Sequence, residues 1–530
     1  VLLQRLFATK SLEQIRANCE EETGRMHRTL GAWDLTLLGV GAIIGAGILS
    51  ALGTGLAGGY DGTFGVTRPA AGPALIVSFV LTAVACGFTG LCYAELASMI
   101  PISGSAYTYT YATMGELMAW VIGWDLLLEY AVSNVAVAIS WGSYAGGLLD
   151  GAGLHLPGWL TTDTRTMLQT TAEYASAHAA LGFHDKLDLL AQGRAGTIDG
   201  AEVFAHWPAL ASAPLVSGVP IGMNALAMII TFVVTALCAI GVRESIRANT
   251  ILVAIKVVLL VGVIAIGVFH VKMENFHPFM PNGWHGVQAG AAIIFFAFIG
   301  FDAVSTTAEE CREPEKDLPR GILGSLALCT IIYVGVCGVI AGMLPYTEYR
   351  GVADPVAHAF ASIGMNGVAA VVSVAAVVAL TGALLVYQLA QPRIFMVMSR
   401  DRLLPPWFGV VHPKTKTPLN ATVLTGIIVL VPAGFMNIDE IVELTNIGTL
   451  FAFVLVCAGV LVLRVRQPEV DRKFRVPWVW VMAPLAMVFC GWLAMGLPSH
   501  TWTRFWIWLA VGLVFYFAYG ARSKRPSEAS

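Results

Sequence analysis

Long apolar stretches separated by short polar links dominate the chain. A helix needs about 20 mostly apolar residues to cross a bilayer. Twelve stretches qualify, at roughly 33–56, 73–100, 117–149, 220–241, 249–269, 286–308, 321–344, 360–392, 418–435, 439–463, 478–497 and 503–520. Asp439, Glu440 and Glu443 stand at the start of the tenth, so its first turn is expected to begin in water. Residues 1–32 are polar and partly amphipathic, with Leu12, Ile15 and Cys19 at helical spacing. That segment is expected to lie on the membrane surface. The pattern predicts an all-α polytopic membrane protein.

Composition agrees with the pattern. Of the 530 residues 57% are hydrophobic and only 12% charged. A soluble domain carries about 25% charged residues, so this chain cannot cover a soluble surface of its size. The net charge of −3 names no partner, and no basic run suggests nucleic acid. The nine cysteines show no metal-site spacing, so no disulfide and no metal are expected. The distribution of charge is more informative than its total. With the N-terminus in the cytoplasm, the inward segments hold 23 Lys and Arg and the outward segments 7. Cytoplasmic links carry the positive charge in membrane proteins, so both termini are expected inside. The long connection 150–219 then lies outside, as a solvated cap over an outer vestibule.

Three features stand out within the spans. The first span carries Gly39, Gly41, Gly45 and Gly47. Glycine costs about 1 kcal/mol in a helix interior, so this run marks either a close-packing face or an unwound segment. The sixth span reads Phe295-Phe-Ala-Phe-Ile-Gly-Phe-Asp302, a second candidate interruption five spans later. Paired interruptions point to a binding site at mid-membrane. Lys256 sits about seven residues into the fifth span. An intramembrane ionisable group is costly and suggests function, against the alternative of snorkelling to the nearby interface. Glu95, Glu129 and Asp302 are further intramembrane acids, candidates for gating or support. Asp125 stands with them. No nucleophile–base arrangement, phosphate loop or nucleotide-binding domain is visible, so neither an enzyme nor an ATP-driven pump is expected, and no cofactor is implied.

Several motifs occur in order along the chain. They are Leu30-Gly-Ala-Trp-Asp34 leading into Gly41-Ala-Ile-Ile-Gly-Ala-Gly-Ile48, then Cys92-Tyr-Ala-Glu-Leu-Ala-Ser98, Pro101-Ile-Ser-Gly-Ser-Ala-Tyr-Thr-Tyr109 and Gly123-Trp-Asp-Leu-Leu-Leu-Glu-Tyr130. Gly300-Phe-Asp302, Asp317-Leu-Pro-Arg-Gly-Ile322 and Ser399-Arg-Asp-Arg-Leu-Leu-Pro405 follow. In these the chain resembles the amino acid–polyamine–organocation superfamily, and within it the bacterial members of the cationic amino acid transporter branch. The resemblance runs from about residue 10 to 520. It implies the leucine-transporter fold, with two inverted five-helix repeats and two extra helices. The chain then divides into a cytoplasmic segment 1–32, a ten-helix core 33–463, two additional helices within 464–520 and a cytoplasmic tail 521–530.

The resemblance implies secondary transport of L-amino acids across the plasma (inner) membrane, usually with protons. It places a substrate carboxylate on the backbone amides of Ala46 and Gly47. It places the ammonium on carbonyls of Ile43, Phe296, Ala297 and Ile299. A hydroxyl residue often stands where this chain has Ala46, so a side-chain contact is lost there. Lys256 is similar to a lysine that replaces sodium in proton-coupled members, and Glu129 matches a third-span acid of the branch. Leu380 and Thr381 are expected beside the substrate side chain, and an apolar leucine there favours small or medium neutral amino acids over cationic ones. The expected partners are substrate, protons and lipid, with a small membrane subunit left open. An obligate exchanger and a non-transporting amino acid sensor are the alternatives, and the short tails argue against a sensor.

Overall fold

The computed structural model describes residues 9, 30–61, 66–100, 105–169, 207–217, 219–241, 246–302, 304–305, 311–415, 417–470 and 472–523. The expectation for residues 1–32 therefore falls almost wholly outside the described residues, as does that for the middle of 150–219. A helix covers part or all of each apolar stretch. Among the described residues seven helices are long and apolar enough to cross a bilayer, and a bent pair makes an eighth. Four more apolar helices have 10–17 residues.

The first stretch is two helices. α1 (Ala32–Ile43) starts where Asp34 reaches back to accept from the Gly31 amide at 2.9 Å. It stops at Ile44, whose backbone is extended. A π-helical turn, Gly47–Ala51, then leads into α2 (Leu52–Ala57), and this second piece is bent by 44° from α1 at the break between Ile43 and Gly47. The hairpin of β1 (Gly59–Asp61) and β2 (Val66–Arg68) follows. Next come α3 (Leu75–Met99), α4 (Ser105–Thr113) and the long α5 (Glu116–Gly151). Two short helices, α6 (Thr164–Gln169) and α7 (Trp207–Ser212), belong to the 150–219 connection. α8 (Ala225–Ile240) is capped by Asn224, which accepts from the Ala227 amide at 3.0 Å. It ends at Gly241, where φ is +94°.

α9 (Ile246–Gly267) carries Lys256, and α10 (Gly283–Ile294) begins the sixth stretch. A 3-10 turn, Phe295–Phe298, tightens the end of α10 before the backbone straightens at Ile299. The sixth stretch was expected to run to residue 308. Its α-helix instead stops at Ile294 and passes into the 3-10 turn, and the chain then leaves helical geometry at extended Ile299 and at Gly300, where φ is +114°. α11 (Pro314–Met343), the short α12 (Pro355–Ser362), α13 (Asn366–Arg400), α14 (Leu419–Phe435), α15 (Ile438–Arg466), α16 (Val479–Met495) and α17 (Ser499–Ala518) complete the chain. The eighth span begins at Asn366 rather than near residue 360, since residues 355–362 form the separate helix α12.

α5 and α13 pack along each other, and α15 lies against α5. α1 packs against α11 and α9, while α11 also covers α3. One continuous apolar core joins these helices. On the outside, Phe232, Val258, Ile331, Val371, Ile427, Val488 and Val514 are exposed. Such an apolar exterior suits lipid rather than water.

The start of α15 corrects the sequence expectation. Glu440 and Glu443 are 1% and 0% exposed, so this turn is buried rather than open to water. Arg68 Nε lies 2.6 Å from Glu443, and Thr501 donates to the same carboxylate at 2.8 Å. Arg165 of α6 and Arg504 of α17 both meet Glu440. Thr54 of α2 donates to Asp439 at 2.7 Å. Asn437, before α15, donates to Thr166 of α6 at 2.7 Å. The described part of the 150–219 connection is thus pinned across this end of the bundle. At the opposite end, Glu95 accepts two bonds from Arg464, at 2.9 and 2.7 Å, and one from the Val476 amide at 2.7 Å.

Candidate functional site

The two interrupted stretches meet. A Cβ built on Gly47 would lie 2.2 Å from the Ala297 Cα and 2.6 Å from its nitrogen. A Cβ on Gly300 would lie 2.8 Å from the Ala42 carbonyl oxygen. Each break therefore seats a glycine on the backbone of the other. Gly39 is equally confined, against Ser325 and Val304, whereas a Cβ on Gly45 would meet nothing within 4 Å. The sequence left packing and unwinding as alternatives for the glycine run. The first stretch does both: Gly39 and Gly47 serve close approach, while Ile44 and Gly45 lie where the helix is interrupted.

The end of α1 leaves carbonyls without intrahelical partners, and three other helices serve this backbone. Lys256 donates from Nζ to the Gly41 carbonyl at 2.7 Å. Tyr333 of α11 donates to the Ile43 carbonyl at 3.0 Å. Tyr144 of α5 donates to the Leu49 carbonyl, beyond the break, at 2.6 Å. Lys256 is only 3% exposed. It turns inward to the break and does not snorkel to the interface. The Ile43 carbonyl, expected to receive an ammonium, already accepts one hydroxyl and keeps its second lone pair.

Ala46 and Gly47 lead into the second half-helix, so their amides stand at its N-terminal end, where the helix dipole favours negative charge. Phe296, Ala297 and Ile299 line the opposing break and are 5%, 0% and 3% exposed. Around them, Phe298 contacts Phe79 and Tyr333, with ring centroids 6.1 and 5.5 Å apart. Phe301 contacts Tyr93 and Phe453. An apolar wall therefore surrounds the crossing.

The remaining candidates divide. Leu380 is fully buried on α13, which touches α1. Thr381 accepts from the Trp141 indole at 2.9 Å and donates to the Val377 carbonyl. Its hydroxyl is thus committed between α5 and α13. Glu129 is buried beside Thr449 and in the electrostatic field of Asp302, which follows the second break. Glu95 lies apart from this group, in the ion-pair cluster with Arg464. Sequence reasoning missed Tyr144 and Tyr333, the two phenols that hold the first break, because a tyrosine inside an apolar helix gives no sign of its partner. It also missed the charged clusters of Arg68, Arg165 and Arg504. Among the described residues no group of His, Cys, Asp and Glu is arranged to hold a metal.

Comparison with known proteins bears on this geometry. A family model described as amino acid permease matches residues 30–516. A methylthioribose transporter of Bacillus subtilis is 40% identical over 98% of both chains. A branched-chain amino acid permease of the same organism is 40% identical over 99% of both. A vacuolar cationic amino acid transporter of Arabidopsis thaliana is 36% identical over 86% of this chain and 62% of its own length. With the match spanning nearly the whole chain, the protein belongs to the amino acid permease family of the amino acid–polyamine–organocation superfamily, and it is a transporter rather than an enzyme.

Proposed function

We propose that this permease moves small or medium neutral L-amino acids together with protons, by alternating access. The observation that carries the reading is the crossing of the two breaks, with Lys256 on the backbone of the first. A zwitterion suits such a crossing. Its carboxylate would take the N–H groups of Ala46 and Gly47 at a half-helix N-terminus. Its ammonium would take carbonyls of Ile43, Phe296, Ala297 and Ile299 at the ends of the opposing helices. The side chain would point to the apolar wall and Leu380, with Thr381 behind it. Phe298, Phe301 and Leu380 favour an apolar side chain, and a relative named for branched-chain amino acids supports that preference.

Lys256 would carry the coupling proton. Protonated, it anchors α9 to α1 through the Gly41 carbonyl; deprotonated, it loses the charge that strengthens that bond. Glu129 and Asp302 would support the second break. Twelve membrane spans in two inverted five-helix repeats, plus two helices, complete the proposal. Both termini would lie in the cytoplasm and the protein in the plasma membrane. The first, second, sixth and seventh spans would rock against the rest. A second reading has its own support: a relative named for methylthioribose is as similar as the one named for branched-chain amino acids. That compound has neither carboxylate nor ammonium, so the half-helix ends would lose their role.

Uptake into proteoliposomes, with the lumen alkaline and no sodium present, separates these. Labelled leucine accumulated against its gradient, and displaced by neutral amino acids but not by arginine or methylthioribose, is the expected result. Accumulation only when the lumen is preloaded with amino acid would instead establish an exchanger. Displacement by methylthioribose alone would establish the second reading.

A further inference from the structure

Lys256 is not the only ionisable group buried within the spans. Asp125 lies on α5, nine residues past its start and one helical turn before Glu129. It is 0% exposed, and among the described residues neither carboxyl oxygen has a hydrogen-bond partner. Its neighbour on α15 is Gly448, where a Cβ would come within 2.7 Å of Oδ1. The glycine therefore leaves the room that the carboxyl occupies. A carboxylate stripped of water and of donors is costly in a membrane interior. A buried acid that the fold makes space for, yet does not pair, is suited to gaining and losing a proton.

The surroundings of Asp125 connect it to the transport site. Asp125 and Asp302, which follows the second break, both act on Glu129. Thr449 of α15 bonds to Glu129. The phenols of Tyr93 on α3, Tyr130 on α5 and Tyr387 on α13 share the field of Glu129 and Asp302. Helices α4, α8, α14 and α17 also pack on α5. Among the described residues, none of the groups acting on Asp125 or Glu129 is a cation. Lys256 stands apart, with Gly41 and Cys329 as its neighbours.

We propose that Asp125 is a second exchangeable-proton site, separate from Lys256, so that two protons accompany each substrate. The inference rests on the proton-symport reading above. Asp125 would take a proton from the aqueous phase on one side of the membrane and release it to the other, with Glu129 and Asp302 linking its charge to the second break.

The test is the accumulation limit of proteoliposomes at a pH difference of one unit, with the membrane potential clamped at zero. Each coupled proton raises that limit about tenfold. Wild type is expected to approach about a hundredfold. Asp125→Asn, isosteric and neutral, is expected to fall to about tenfold while retaining substrate counterflow, which also reports that the variant is folded. A wild-type limit of about tenfold overturns the second site and leaves symport standing, and needs no variant. Asp125→Asn accumulating as wild type overturns it as well. Failure of the wild type to accumulate at all would overturn the symport reading itself.

Discussion

Replacing Gly47 by alanine probes the crossing of the two breaks. The new Cβ would stand 2.2 Å from the Ala297 Cα, where ordinary contact begins at about 3.4 Å, so one backbone must retreat by more than an ångström. Overpacking of this kind costs about 1–3 kcal/mol. Read as lost substrate affinity, that is about five- to 150-fold. Gly45→Ala is the matched control. It makes the same change of residue two positions away, into open space. The assay is binding of labelled leucine to purified protein, with thermal unfolding of both variants alongside. Gly47→Ala should weaken binding at least fivefold and Gly45→Ala by less than about twofold. Adding Ala297→Gly should not restore binding, because the nearest atom is backbone rather than the alanine methyl. Equal behaviour of the two glycine variants would refute the packing of one break on the other as the basis of the site.

Other perturbations have defined outcomes. Arg68→Ala leaves Glu443, which is 0% exposed, without its guanidinium and with Thr501 and His500 as neighbours, and should destabilise by about 3 kcal/mol in denaturant unfolding; the double variant with Glu443→Gln should cost less than the two single changes together. Burial pushes the Asp354 carboxyl, at the start of α12 outside the spans, up to about 7 from an ordinary value of 3.8. A raised carboxyl leaves the folded state holding the proton longer, so this contribution to stability is complete below about pH 4 and is lost as pH rises through about 7. Asp354→Asn should flatten the fall in melting temperature across that window, and an unchanged fall would show that another group causes it. Lys256→Met removes the bond to the Gly41 carbonyl, and the accumulation limit at a pH difference of one unit should fall about tenfold below wild type while counterflow persists. An accumulation limit equal to that of wild type would take the coupling role away from Lys256.

Much of the helical layout was legible because lipid imposes a simple rule on sequence: long apolar runs with charged links. The two breaks were legible for the same reason, since glycine runs and a mid-span Gly-Phe-Asp contradict a plain spanning helix. Lys256 stood out by charge alone. Its partner did not, because the Gly41 carbonyl is a backbone atom 215 positions away that carries no side-chain signature. The tenth span shows how a local rule misleads. Asp439, Glu440 and Glu443 look like a water-exposed first turn until Arg68, Arg165 and Arg504 arrive from distant links. α4 was not anticipated either, since its Ser, Thr and Tyr residues show little helical amphipathicity; Tyr107 and Tyr111 nonetheless bond to Asp401 and Glu116. Thr381 was placed beside the substrate by resemblance, and the partners of its hydroxyl, Trp141 and the Val377 carbonyl, carried no sign in the sequence.

A structure of the protein with bound leucine tests the central claim most directly. The expected density lies between the two breaks, with the carboxylate within about 2.7–3.2 Å of the Ala46 and Gly47 nitrogens and the side chain against Phe298, Phe301 and Leu380. Leucine bound elsewhere, or bound with its carboxylate on Lys256, would contradict it.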